Sequence, residues 1–167
     1  MKFILLSVFF LTILSADDYY IYKLYNNKYE AIFPKQPQSN ISPRGLKFYT
    51  TTDTKRQITY LAMKLYLPMS YKQVLKKFGK NHIDKSVKNS IRSMKFNILE
   101  FTSTSNINQY KAIYKAEEIK SGAMMYGVVI QDKKNDYRWN IYAKDINYRT
   151  YAEDIRDGYK SYFKILN

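Results

Sequence analysis

The chain contains no cysteine, one histidine, five scattered glycines, and only 14 acidic residues against 28 lysines and arginines. Each shortage excludes something. Without cysteine there is no disulfide framework, no thiol nucleophile and no lipid-modified cysteine behind a leader. A zinc site would have to use the one histidine, His82, with three converging carboxylates. A Ser–His–Asp arrangement could use only His82 as base, and no Gly-x-Ser-x-Gly turn presents a serine. Beside the expected helix break, His82 reads more simply as a surface or capping residue. The glycines form no phosphate-cradling loop. The shortage of acid leaves a net charge of +14, which bears on partners and not on fold.

The one long apolar run stands at the start, MKFILLSVFFLTILSA, with Lys2 before it and Ser15-Ala16 then Asp17-Asp18 after it. Charge, apolar stretch and small residues come in the order of a secretory signal, and the run falls short of the about 20 residues that span a bilayer. Residues 1–16 are therefore expected to be a signal peptide. With Leu14 at the −3 position, cleavage and retention as an anchor both remain open. Export without cysteine fits a bacterial envelope, so a periplasmic or secreted location is expected. Residues 17–167 then have the length of a single domain.

Along that domain, Tyr19–Tyr25 and Tyr29–Phe33 read as strands around an Asn26-Asn27-Lys28 turn. Pro34 must end the second strand because it lacks the ladder N–H. Pro37 and Pro43 then predict an extended loop before Leu46–Thr52. In Ile58–Leu67 the large residues Leu61, Met63, Leu65 and Leu67 alternate, which predicts a core face on the odd positions. Ser70 with Gln73 forms a capping box. The stripes Tyr71/Val74/Leu75/Phe78 and Ile83/Val87/Ile91/Met94 would face opposite sides of one straight helix. A helical insertion over 70–93 that breaks at Gly79-Lys80-Asn81 is predicted, with Asn81 as the second cap. Four strands follow, Phe96–Thr102, Gln109–Glu118, Gly122–Asp132 and Tyr137–Lys144. The third is apolar on both faces and so central. Thr150 and Glu153 predict a capping box for a C-terminal helix carrying Ala152, Ile155, Tyr159 and Tyr162, with Phe163, Ile165 and Leu166 packing its end. The class is α+β: an antiparallel sheet of about six to eight strands, the 70–93 insertion, and a C-terminal helix against the sheet.

Tyr29, Phe33, Pro34 and Pro37, then Tyr60 in the next hairpin, then "YKSYFKI" from Tyr159 to Ile165, resemble the PsbP/Mog-type α/β/α sandwich, and within it small exported bacterial proteins with no assigned activity. Asn106-Ile107-Asn108 stands where that group often has a glycine-containing turn. The resemblance implies binding or assembly. Characterised members are photosystem extrinsic subunits and a partner of a small nuclear GTPase, and none of their contact residues has a counterpart here.

For chemistry, Asp132 and Asp136 flank lysines in an expected turn, Glu117 and Glu118 point to opposite faces, and Asp154 and Asp157 share a solvated helical face. None forms an acid–base pair by spacing, although carboxylates remote in sequence can meet in space. Arg138, Trp139, Tyr142 and Lys144, in a strand mixing aromatic and basic residues, are the candidate contact residues for a ligand or partner. The alternative reading of the same pattern is one core face of a tyrosine-rich strand. The expected function is a non-enzymatic, cofactor-free binding protein whose basic surface meets a protein, an anionic glycan or a membrane face. An envelope-polymer hydrolase and an immunity or inhibitor protein against a secreted toxin are the alternatives. Export and the lack of an RNA-binding motif argue against nucleic acid.

Overall fold

A computed structural model describes residues 19–161 and 163–165; the expected signal peptide and the side chains of Tyr162 and Leu166 lie outside the described residues. Strands β1 (Tyr20–Leu24) and β2 (Tyr29–Phe33) form the expected hairpin. Its turn is tight because Tyr25, Asn26 and Asn27 all take positive φ, a conformation asparagine tolerates. Strand β3 (Gln38–Ile41) follows, then β4 (Lys47–Asp53) and β5 (Ile58–Tyr66). Helices α1 (Tyr71–Phe78) and α2 (Lys80–Ser93) come next, then β6 (Phe96–Ser105), β7 (Tyr110–Glu118), β8 (Met124–Asp132) and β9 (Asn135–Ala143). A 3-10 turn at Ile146–Tyr148 leads into α3 (Arg149–Tyr159), and β10 (Lys164–Ile165) closes the chain.

Seven strands form an antiparallel sheet in the order β3-β4-β5-β9-β8-β7-β6, and β1-β2-β10 form a smaller one. The layers follow from the packing. The small sheet and α3 cover one face of the large sheet, where Tyr29, Phe33, Ala152 and Ile155 meet Ile58, Tyr60, Tyr126, Trp139 and Ile141. Helices α1 and α2 cover the other, where Tyr71, Ile83, Val87 and Ile91 meet Tyr110, Tyr114, Met125 and Val129. The result is an α/β/α sandwich. Strand β8 is buried from Met124 to Gln131 because both layers press on it, as its two-faced apolar run required.

Five local expectations are corrected. Residues between Pro37 and Pro43 are not a loop: Gln38–Ile41 pairs with β4 as an edge strand, where flanking prolines forfeit no ladder bond. In β5 the buried positions are the even ones, Ile58, Tyr60 and Ala62. Leu61, Met63 and Leu65 are half-buried, because the α1–α2 core is built over β6, β7 and β8 and takes no residue from β4 or β5. Small Ala62 is buried because the second sheet packs on its side; side-chain size alone misjudged the phase. The break between α1 and α2 falls on one residue. Gly79 takes φ 76 and ψ 171, so α2 already begins at Lys80 and Asn81 lies inside its first turn. Thr150 and Glu153 do not cap α3. Tyr148 precedes the helix without a side-chain cap; Arg149 N donates to the Ile146 carbonyl, and Asp145 caps the 3-10 turn itself, accepting from Asn147 N at 2.9 Å. Glu153 instead accepts from Lys115 Nζ at 2.7 Å. After α3, Phe163 is buried against Tyr29 and Trp139, and Lys164–Ile165 joins β2 rather than packing the helix end.

Candidate functional site

The four residues singled out on β9 part company in the fold. Trp139 is 1 % exposed and faces the small sheet; its Nε1 donates to the Ile32 carbonyl at 3.0 Å and its ring stacks on Phe163. Arg138 points to the helix layer and is 4 % exposed. Its guanidinium donates to both Asp136 oxygens, at 2.8 and 3.0 Å, and to Ser90 Oγ at 2.7 Å. Gln131 Nε2 donates to the same carboxylate at 2.8 Å. Burial alone would lower the Arg138 pKa, but the Asp136 charge overrides it and holds the pKa above the ordinary arginine value. The alternation of β9 thus sends Arg138 and Trp139 into different cores, which corrects their assignment as ligand contacts. Tyr142 and Lys144 do meet, on a recess of about 640 Å³ that also includes Thr52, Thr59 and Leu61.

A second recess, of about 720 Å³, lies at the opposite end of β9 and was not anticipated. Four segments each deliver a lysine to it: Lys28 from the β1–β2 turn, Lys64 from β5, Lys72 from the first turn of α1, and Lys133 from the β8–β9 turn. Among the described residues Asp132 is its one carboxylate, and Asn108, Gln109 and Asn135 add amides. The frame is well tied. Ser70 N donates to Gln73 Oε1 at 3.0 Å in the capping box that starts α1, worth about 1 kcal/mol. Leu67 N donates to the Lys134 carbonyl at 2.8 Å, which fixes the β8–β9 turn beside the end of β5. Tyr71 OH donates to the Asn106 carbonyl at 2.6 Å, and Asn106 Oδ1 accepts from Asn108 N and Gln109 N at 2.8 and 2.9 Å.

The lysines themselves are held differently. Among the described residues none of the four takes part in an ion pair. Lys64 Nζ lies 4.7 Å from the Tyr66 ring centroid and 5.5 Å from that of Tyr137, a cation–π setting that orients it without neutralising it. Burial, then the negative charge of Asp132, pushes the Tyr137 hydroxyl up to about 12, so at neutral pH it stays protonated. The sequence carried one signal for this cluster. Lys28 and Lys133 sit in turns that were legible, but only the pairing of Tyr66 with Asn135 brings the end of β5 to the β8–β9 turn.

Among the described residues each of the two recesses holds a single carboxylate, Asp132 in one and Glu118 in the other. The described residues contain no group of three or more His, Asp or Glu that could hold a metal. His82 stacks on Phe78 at 4.7 Å between centroids. Among the described residues no helix is long and apolar enough to cross a membrane.

The layer order and strand order define a PsbP-like α+β fold. The solution structure of cyanobacterial PsbP (CyanoP) from Synechocystis sp. PCC 6803 is similar over 89% of this chain and 92% of that one, with a TM-score of 0.63 and 10% sequence identity. At that identity the likeness concerns the fold. No family model matches the chain, and no curated protein matches it in sequence.

Proposed function

We propose that this chain is an exported, non-enzymatic binding protein, one domain after a signal peptide, that holds an anionic partner at the lysine-lined cleft in the periplasm or outside the cell. The observation that carries the reading is the convergence of Lys28, Lys64, Lys72 and Lys133 on one recess with, among the described residues, a single carboxylate. Like charges brought together repel, and the repulsion opposes folding unless an anion offsets it. Some cations elsewhere are paired within the chain: Arg56 with Asp53, Lys80 with Asp84, Arg156 with Glu153 and Asp157. A PsbP-like fold is compatible with a binding role. A carboxylate-pair hydrolase needs two acids about 5–10 Å apart at its substrate, and each recess supplies one.

The test is retention of purified protein on anionic matrices across a salt series. The reading expects release by modest salt, and weaker retention for Lys64→Glu and Lys133→Glu than for a charge reversal at Lys144. Retention indifferent to salt, or equal for all three variants, would contradict it.

A further inference from the structure

The composition of the cleft narrows its ligand; this step rests on the anion-binding reading above. All four cations are lysines, and no arginine reaches the cleft. Two of the chain's arginines sit where a planar fork suits the acceptor: Arg138 grips both oxygens of Asp136, and Arg156 spans Glu153, Asp157 and the Tyr114 carbonyl. A guanidinium fork grips carboxylate and phosphate alike, whereas ammonium groups are rotatable point charges that follow the density of negative charge, which is higher along linked phosphates than along a polymer with one carboxylate per sugar ring. Among the described residues, four ammonium groups against one carboxylate leave three positive charges on one recess. A ligand matched to that charge carries about three negative charges within a recess of about 720 Å³, more than one phosphodiester provides. The recess is also concave, while a bilayer offers singly charged phosphates in a plane.

The backbone contributes little. The capping box and the Lys133 carbonyl already occupy Gln73 N and Tyr71 N, so the start of α1 is not a ready amide nest. The ammonium groups must do the holding, with Asn108, Gln109 and Asn135 as neutral donors beside them. We infer that the cleft takes a linear chain of linked phosphates, at least three units of which lie within it, in preference to a carboxylate polymer or a membrane surface.

The experiment is calorimetric titration of the purified chain with sodium polyphosphate, with polygalacturonate, and with phosphatidylglycerol vesicles as competitor. The expected result is polyphosphate binding that weakens about 20-fold between 50 and 200 mM salt, the dependence of three displaced counterions on a flexible polyanion. Polygalacturonate should bind at least tenfold more weakly, and vesicles should not displace polyphosphate. Lys64→Glu with Lys133→Glu should lower polyphosphate affinity more than tenfold at unchanged melting temperature; should that pair disturb the fold, Lys72→Gln alone should lower it severalfold. Equal or tighter polygalacturonate binding, or displacement by vesicles, overturns the phosphate inference and leaves anion binding standing. Polyphosphate binding that the lysine variants do not change overturns the cleft itself, and with it the reading on which this inference rests.

Discussion

Arg138 and Lys133 are separated by five positions on one β-hairpin, and the molecule treats their charges in opposite ways. Arg138 is buried with Asp136, Gln131 and Ser90 arranged around it. Lys133, exposed at the turn, joins three other lysines around a single described carboxylate, Asp132, and none of the four is in an ion pair. A charge inside the protein must find its partner in the chain, since desolvation otherwise makes it untenable. A charge at a rim remains hydrated and can be left for something outside. The contrast separates charges that build the fold from charges that are available to a partner.

The largest effect should come from breaking the inner pair. Asp136→Ala leaves a buried guanidinium without its carboxylate and should lower unfolding stability by about 3–5 kcal/mol in urea titration. A loss under about 1 kcal/mol would mean that Arg138 reaches water by another route. Trp139→Ala should be comparable, about 3–5 kcal/mol, by emptying the space between Ile32 and Phe163. It should leave anion affinity unchanged, which would separate this tryptophan from any ligand. Gly127→Ala comes next. A Cβ there would fall within the Tyr114 ring and 2.6 Å from Asn140 Oδ1, so overpacking should cost about 1–3 kcal/mol. Tyr114→Phe on that background would not restore stability, since the ring and not only the hydroxyl blocks the space.

The pH dependence sharpens the same comparison at a smaller scale. Burial would raise the Asp84 carboxyl, but hydrogen bonds from Lys80, Ser103 and Tyr110 outweigh it and hold the group below its ordinary 3.8. A carboxyl depressed in the folded state stabilises fully above its unfolded value, and that contribution is lost as pH falls through the folded one. The stability gap between the wild type and Asp84→Asn should therefore be present at pH 6 and close as pH drops below 3.8. A gap that stayed constant would remove Asp84 from the set of stabilising charges. Reversing Lys133 should have the smallest effect on stability, within about 0.5 kcal/mol and in the stabilising direction, because it relieves repulsion on an exposed rim.

Much of the fold was legible locally. The asparagine turn of β1–β2, the Ser70–Gln73 box and the doubly apolar β8 each rest on short-range chemistry, and each appears as expected. What failed depended on layers. The β5 face could not be phased from Leu61, Met63 and Leu65, because which side a second sheet covers is a non-local fact. Asn81 and Thr150 looked like caps, but the helices begin earlier, after Gly79 and Tyr148, neither of which supplies a side-chain cap. The site was least legible. Arg138-Trp139 reads as a basic aromatic surface until alternation assigns each residue to a different core. The lysine cleft needs four segments that approach one another only after β5 pairs with β9.

The central claim is that the cleft lysines have their counter-charge outside the chain. Thermal unfolding with and without sodium polyphosphate tests it most directly, using the wild type and Lys64→Glu/Lys133→Glu. A ligand at a hundredfold excess over Kd stabilises by about 2.7 kcal/mol, which for a chain of this size is a rise in Tm of about 5–10 °C. The account predicts that rise for the wild type and little or none for the double variant, with similar Tm values when polyphosphate is absent. An equal rise in both proteins, or none in either, would contradict it.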